Sequence, residues 1–276
     1  MTIQTALLQG TQLLEAGGVS VPRLTAEVLL SCALRQERVY LYAHPEETLP
    51  EVAWLHFGRY LHERLQGKPT QYITHRQEFY GREFRVTPAV LIPRPETEHL
   101  VEAALTRIRP NDVVLDVGCG SGAIAITLAL ETGAIVYGAD ISNSALIVSR
   151  TNGRKLGARV AWLASDLTSA FAERSIDVLV SNPPYVPRTD EPILQREVRE
   201  WEPHVALFAG STGLEVYHGL ITQARRTLKP LGWLLLELGY NSLESVREML
   251  AAGWSDIEVG ADLAGLPRVI SARLLP

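Results

Sequence analysis

From residue 112 onward, short apolar runs alternate with segments in which apolar residues recur every three or four positions. The runs are typical of buried strands and the wider spacing is typical of amphipathic helices. This alternation predicts an α/β fold with a mostly parallel sheet covered by helices on both faces, a Rossmann-like arrangement. The predicted strands are 112–118, 134–141, 159–166, 175–182, 232–239, 256–260 and 268–275, and the predicted helices begin near residue 122 and cover 143–157, 213–228 and 243–253. No helix separates the last two strands, so we expect them to be antiparallel.

The first seventy residues have a different pattern, in which helical spacing recurs over 1–16, 25–35 and 51–67. This spacing predicts a small helical bundle. Aromatic and β-branched residues then lie on both sides of Gly81 over 71–88, which favours a hairpin. We therefore predict three parts: a helical domain at 1–70, a connecting β-hairpin at 71–90 and a sheet domain at 91–276.

Composition and charge exclude several classes of protein. The 276 residues carry a net charge of −5 and a pI near 5.8, which argues against binding nucleic acid by bulk electrostatic attraction. The two cysteines, Cys32 and Cys119, provide neither a disulfide framework nor a zinc-site spacing. The N-terminal stretch lacks the pattern of a secretory signal, and no apolar run is long enough to span a membrane. We expect a cytoplasmic protein.

A glycine-rich stretch, "LDVGCGSGA" at 115–123, lies where the first strand of the sheet domain should turn into a helix. Glycines there allow a tight turn and close approach of a ligand to the backbone and to the free N–H groups of the helix. Gly118, Gly120 and Ala123 also fit the dinucleotide fingerprint G-x-G-x-x-[GA]. The motif alone therefore leaves open a nicotinamide enzyme, an S-adenosylmethionine enzyme and a tight turn that binds nothing.

Acidic residues follow the next two predicted strands. Asp140 comes about twenty residues after the glycines, where a carboxylate accepts hydrogen bonds from ribose hydroxyls in either kind of cofactor. Asp166 ends the third strand, and Leu167 beside it is placed to pack on an adenine ring. These positions predict a nucleoside-containing ligand without deciding which one.

The stretch "NPPY" at 182–185 separates the two cofactor hypotheses. It follows a buried strand, and ligands of open α/β sheets bind beyond the carboxyl ends of the strands. The Asn182 side chain offers a carbonyl acceptor, and the prolines fix the backbone so that a peptide carbonyl also points inward. Two such acceptors suit a substrate –NH₂ group, and Tyr185 is placed to stack on a planar group. A nicotinamide dehydrogenase has no need of this arrangement.

"NPPY" with "DVGCGSG" resembles the methyltransferases that modify planar amino or amide nitrogens in DNA, RNA or protein. Further stretches extend the likeness over nearly the whole chain and are similar to the release factor N5-glutamine methyltransferase family. They are "RLTAEVLL" (23–30), "LYAHPEETL" (41–49), "GKPTQYI" (67–73), "LIPRPETE" (91–98), "EPHVALFAGSTGLEVY" (202–217) and "DLAGLPRV" (262–269). Ribosomal-protein glutamine methyltransferases are the nearest alternative, followed by DNA or RNA amino-methyltransferases. A non-enzymatic binding module for a translation factor also remains open.

The resemblance implies S-adenosyl-L-methionine as methyl donor, no metal, and class I release factors as the protein substrate, bound with help from the helical domain. We expect a monomer that acts on no nucleic acid and no membrane. The implied catalytic residues are Asn182 and Pro183, and these two with Pro184 and Tyr185 bind the glutamine. The implied donor-binding residues are Gly118, Cys119, Gly120, Ser121, Gly122, Asp140, Leu167 and Asn182. Many relatives carry an aromatic residue at the Leu167 position, so we expect weaker stacking here.

Overall fold

The computed structural model describes residues 1–276 and contains two compact units. The first comprises residues 1–76 together with 195–201, and the second comprises 77–194 and 202–276. None of the helices combines the length and the apolar character that a membrane crossing requires.

The first unit is helical. Its helices pack around a core that includes Leu14, Leu29 and Phe57. Helix α9 (Arg196–Trp201) joins them from a distant part of the sequence: Glu197 accepts a hydrogen bond of 2.7 Å from Arg64, and the Lys68 ammonium lies over the Trp201 ring. The helices are α1 (Ile3–Ala16), α2 (Pro22–Leu34), α3 (Arg38–Ala43), α4 (Glu51–Leu65), α5 (Thr70–Thr74) and α9 (Arg196–Trp201).

The second unit contains a seven-stranded sheet of order β10-β11-β9-β6-β3-β4-β5. Strands β3, β4, β5, β6 and β9 are parallel, and β11 is antiparallel to both of its neighbours. The strands of this sheet are β3 (Val113–Val117), β4 (Ile135–Asp140), β5 (Val160–Ala164), β6 (Ile176–Ser181), β9 (Leu228–Glu237), β10 (Trp254–Ala261) and β11 (Pro267–Leu274). The helices of this unit are α6 (Glu98–Leu105), α7 (Ala123–Glu131), α8 (Asn143–Leu156), α10 (His204–Leu207), α11 (Glu215–Thr227) and α12 (Leu243–Met249). The predicted α/β fold and its antiparallel end are confirmed.

Two apolar cores form because successive side chains of a strand point to opposite faces. On β3, Val114 packs with α6 and α7, whereas Leu115 packs with α11 and α12. The central strands are therefore apolar on both faces, and their polar residues are concentrated near the strand ends. This arrangement leaves the carboxyl ends of the strands available for a binding site.

Two predictions of local structure are incomplete. Residues 71–74, which the sequence pattern places in the hairpin, belong to helix α5, and the hairpin is limited to β1 (Arg76–Phe79) and β2 (Arg82–Arg85) around Gly81. The region from 186 to 210, for which the sequence pattern predicts no strand or helix, contains β7 (Val186–Pro187), a 3₁₀ helix (Arg188–Ile193), α9, α10 and β8 (Phe208–Gly210). These segments are too short for a hydrophobic period to be read from the sequence.

Trp162 packs directly against a glycine of the neighbouring strand. It lies opposite Gly138 in the β4–β5 register, and a Cβ atom added to Gly138 would lie 2.5 Å from Trp162 Cε3. Real Cβ atoms do not approach other heavy atoms this closely, so the indole ring would have to move. Because the same ring also lies against Gly122, its position supports the start of α7.

We expect Gly138→Ala to lower the free energy of unfolding by about 1–3 kcal/mol, because overpacking displaces the indole ring. Urea denaturation followed by tryptophan fluorescence measures this effect. Gly133→Ala is the matched control in the same unit, since its added Cβ would be in ordinary contact with Pro110 at 3.7 Å. The control should change stability by less than about 0.5 kcal/mol. Equal effects of the two substitutions would contradict the packing argument.

Candidate active site

A cavity lies beyond the carboxyl ends of β3, β4, β5 and β6. Strand β3 lies between β4 and β6, so the chain continues from β3 to one side of the sheet and later returns to the other side. The strand order thus reverses at β3, and open α/β sheets bind ligands at such a reversal. All residues that line the cavity belong to the second unit. They are Ala89, Val90, Leu91, Val117, Gly118, Gly120, Asp140, Ile141, Ser142, Ala145, Ser165, Asp166, Leu167, Ser181, Asn182, Pro183, Pro184, Pro203, Val205, Ala206, Phe208 and Val216.

The glycine loop after β3 is held in place by backbone hydrogen bonds. The N–H groups of Gly118 and Cys119 both donate to the Ala139 carbonyl, at 2.8 and 3.0 Å. Gly118 and Gly120 have φ values of 74° and 53°, in the left-handed region that favours glycine. Apart from Gly118 itself and its two chain neighbours, no residue has an atom within 4 Å of the point where a Cβ on Gly118 would be, so this face of the loop is open.

Asp140 connects the end of β4 to the glycine loop. Its Oδ2 accepts from the Gly120 N–H at 2.9 Å, and its Oδ1 accepts from the Ser142 N–H at 2.8 Å. Burial raises the pKa of this carboxyl, and the backbone hydrogen bonds oppose the shift. Each carboxylate oxygen can accept more than one hydrogen bond, so Asp140 can also accept from a ligand in the cavity.

Asp116 lies behind the glycine loop and is fully buried. Its Oδ2 accepts from the Ala125 N–H at 3.1 Å, whereas its Oδ1 has no hydrogen-bond partner. Burial raises its pKa to about 7, and the charge of Asp140 acts in the same direction. The loop is thus supported by a carboxyl that exchanges its proton near neutral pH.

Asn182 follows β6 on the opposite side of the cavity. The end of β6 is fixed to β3 by the Ser181 hydroxyl, which donates to the Val117 carbonyl at 2.7 Å. The side-chain nitrogen Nδ2 of Asn182 donates to the Thr97 hydroxyl oxygen at 3.1 Å. With Nδ2 engaged in this way, Oδ1 is the end of the amide that remains to accept hydrogens. Pro183 and Pro184 continue the cavity wall.

Tyr185 lies outside the cavity lining. Its ring packs against Gly239, where an added Cβ would lie 2.6 Å from Tyr185 Cδ2. Burial raises the pKa of its hydroxyl to about 12, and the carboxylate of Glu237 adds to this shift. The ring thus packs against the backbone that follows β9.

The structure brings together seven of the predicted residues in the lining of one cavity: Gly118, Gly120, Asp140, Leu167, Asn182, Pro183 and Pro184. Four others, Cys119, Ser121, Gly122 and Tyr185, support the loops instead of lining the cavity. Cys119 is buried, and its burial raises the pKa of the thiol well above the ordinary value. The roles assigned to all these residues remain predictions.

Several residues of the site were not identified from the sequence. Most are apolar, such as Val90, Ala206 and Phe208, and carry no chemical signature. The polar residues Ser142, Ser165 and Ser181 also line the cavity. Two more polar residues lie behind the lining: Thr97 lies beside Asn182, and Glu237 ends the buried strand β9, which is adjacent to β6. Glu237 was detectable in principle, because an acidic residue at the end of a buried strand is the same signal that identified Asp140.

Known proteins are similar to this chain in sequence and in fold. Residues 5–74 match the family model described as the PrmC N-terminal domain, and residues 96–200 match the methyltransferase small domain. The release factor glutamine methyltransferase of Koribacter versatilis is 44% identical, covering 99% of both chains. The protein of the same name from Neisseria gonorrhoeae is 44% identical, covering 92% of this chain and 94% of its own.

Solved structures show the likeness of the fold. A methyltransferase from Pyrococcus furiosus aligns with a TM-score of 0.54 and 19% identity, covering 71% of this chain and 90% of its own. This chain therefore shares its fold with that methyltransferase. Because the sequence similarity extends over nearly the whole length of both this chain and its relatives, the chain belongs to the family of release factor glutamine methyltransferases.

Proposed function

We propose that the protein transfers a methyl group from S-adenosyl-L-methionine to the side-chain amide nitrogen (N5) of a glutamine. The proposed target is the glutamine of the Gly-Gly-Gln motif in class I peptide chain release factors. The main support is one juxtaposition: Asn182, with Nδ2 engaged by Thr97, lines the same cavity as the glycine loop. The names of the full-length relatives agree with this activity.

The cavity suits the proposed methyl donor. The open face of Gly118 leaves room for a ligand against the backbone, where a Cβ would project. Asp140 supplies acceptors for ribose hydroxyls, and Ile141 and Leu167 supply apolar surface for an adenine ring. In this proposal Gly118 to Gly122, Asp140 and Leu167 bind the donor. Cys119, Ser121 and Gly122 contribute by shaping the loop.

The enzyme's task follows from the chemistry of an amide. Its nitrogen is a weak nucleophile, since the lone pair is delocalised into the carbonyl, while the donor supplies a methyl group on a positively charged sulfur. Asn182 Oδ1 and the Pro183 carbonyl accept the two amide hydrogens. They orient the nitrogen toward the methyl group and stabilise the positive charge that develops on it. The N–C bond would form as the S–C bond breaks, the donor would leave as the neutral thioether S-adenosylhomocysteine, and the nitrogen would then release one proton to water.

The helical unit is proposed to help dock the release factor, and the protein is proposed to act in the cytoplasm as a monomer, with no nucleic acid as substrate. Incubating a purified release factor with the protein and S-adenosylmethionine, followed by mass spectrometry, tests the function directly. The expected result is a mass increase of one methyl group on the glutamine of the motif. Methylation of a glutamine-to-alanine substrate, or of a ribosomal protein or nucleic acid in its place, would contradict it.

We expect Asn182→Ala to reduce the rate of methyl transfer by about 100-fold or more, because one of the two oriented acceptors is lost. Donor affinity, measured by isothermal titration calorimetry, should fall by less than about threefold, because seven of the eight implied donor-binding residues are intact. Asn143→Ala is a suitable control, since Asn143 is exposed and lies outside the cavity lining. An Asn182→Ala enzyme with the normal rate would rule out the proposed role of this side chain.

We expect Asp140→Ala to weaken donor binding by about tenfold or more. The substitution removes the acceptors for the ribose and also the partner of the Gly120 N–H. Asp140→Asn keeps one acceptor oxygen and should have a smaller effect. Calorimetric titration with S-adenosylmethionine measures both, and unchanged binding by Asp140→Ala would refute the assignment.

A further inference from the structure

The side-chain amide of Asn182 can occupy its place in two orientations, related by a flip that exchanges oxygen and nitrogen. Only one orientation presents an acceptor to a substrate –NH₂ group; the other presents a second donor, which would repel it. Something must therefore distinguish the two ends of the amide. In the structure, Nδ2 faces the Thr97 hydroxyl at 3.1 Å.

Thr97 alone does not settle the orientation, because a hydroxyl can both donate and accept. Thr97 is 4% exposed and lies at the end of the 3₁₀ turn Pro95–Thr97, so water is largely excluded from its hydroxyl group. If Thr97 accepts from Asn182, its single hydrogen must be donated to another group. The identity of that group decides which way the amide points.

Glu237 is the group next to Thr97 that meets this requirement. It is 3% exposed and follows Leu236, which pairs with Ser181 in the β6–β9 register, so Glu237 and Asn182 continue neighbouring strands. Burial raises the pKa of Glu237, and hydrogen bonding from the Thr97 and Asn182 side chains opposes that rise, in agreement with the placement that the strand register gives. Its Oε2 has no hydrogen-bond partner. An ionised carboxylate accepts hydrogen bonds and donates none.

We propose that Thr97 and Glu237 are positioning residues that fix the orientation of the Asn182 amide. The Glu237 carboxylate takes the hydrogen of the Thr97 hydroxyl, the hydroxyl oxygen takes a hydrogen from Nδ2, and Oδ1 is thereby presented to the substrate amide. Neither residue needs to touch the substrate. The inference rests on the proposed function and adds to it the reason why Asn182 presents an acceptor.

Other charged groups around Glu237 influence its ionisation. Glu96 opposes ionisation and Arg268 favours it, while burial has the largest effect and raises its pKa to about 7. Tyr185 also faces this carboxyl, with a pKa near 12 that keeps it neutral. A protonated Glu237 can donate to Thr97, and the amide orientation is then no longer fixed. Low pH should therefore weaken catalysis.

The pair Thr97→Val and Thr97→Ser tests the relay. Valine matches threonine in shape but cannot relay a hydrogen bond, so kcat for release factor methylation should fall at least tenfold. The affinity for S-adenosylmethionine should stay within about threefold of the wild type. Serine keeps the hydroxyl and should restore kcat to within about threefold. Circular dichroism and thermal unfolding check that both variants are folded.

Three outcomes would overturn the proposal. The first is a normal kcat for Thr97→Val, and the second is an equal loss in both variants. The third is loss of donor binding in Thr97→Val, which would make Thr97 a donor ligand. The wild-type enzyme tests the proposed function separately from the role of Thr97. If the wild-type enzyme does not methylate the release factor, the proposed function itself fails.

Glu237→Gln tests the carboxylate. The glutamine side-chain amide has the same shape as the Glu237 carboxylate but can donate as well as accept. It therefore no longer forces the Thr97 hydroxyl to donate its hydrogen, and kcat at pH 8 should fall about fivefold or more. In the wild type, kcat at saturating donor should rise with pH through about 7, and this rise should be smaller or absent in the variant. Asp116 titrates in the same range but is unchanged between the two enzymes. Identical pH profiles for the two enzymes would contradict the role of Glu237.

Discussion

The site depends on the connection between the glycine loop and the end of the neighbouring strand β4. Asp140 accepts from the Gly120 N–H, and the carbonyl just before it, that of Ala139, accepts from Gly118 and Cys119. Three backbone donors of the loop are thus held by two adjacent residues. Since Asp140 is also the proposed ribose ligand, the loop and the ligand share one anchor, and a movement of either element would disturb both.

A second connection fixes the opposite side of the cavity. The Ser181 hydroxyl donates to the Val117 carbonyl, so the residue before Asn182 is tied to the residue before Gly118. The proposed donor-binding loop and Asn182 therefore follow directly after two residues on adjacent strands that are joined by a hydrogen bond. Methyl transfer is sensitive to alignment, and this geometry sets the alignment through the sheet itself, without a flexible segment between the two halves of the site.

The periodicity of apolar residues along the chain predicts one part of this arrangement. The central strands of the sheet carry apolar residues on both faces, and this pattern alone is enough to locate Asp140 and Asn182 at the ends of buried strands and Leu167 shortly after the next strand, β5. Helix α9 was not predictable, because its six residues join the helical unit through contacts with side chains more than a hundred residues away, such as Arg64 with Glu197. Thr97 was missed for a related reason: its significance comes from Asn182, 85 residues away in the sequence.

The two buried carboxyls near the site reduce the stability of the folded protein. Asp116 and Glu237 have ordinary pKa values of 3.8 and 4.5, and both are raised to about 7 in the folded protein. Between these limits the folded state binds more protons than the unfolded state, so their contribution to stability falls as pH rises from about 4 to about 7. Neutral residues of similar shape would avoid this loss. A fold that retains two such carboxyls, each with an oxygen lacking a partner, has kept acceptors at the strand ends at the expense of its own stability. That expense is expected where the acceptors are needed by a ligand or by a side chain that binds one.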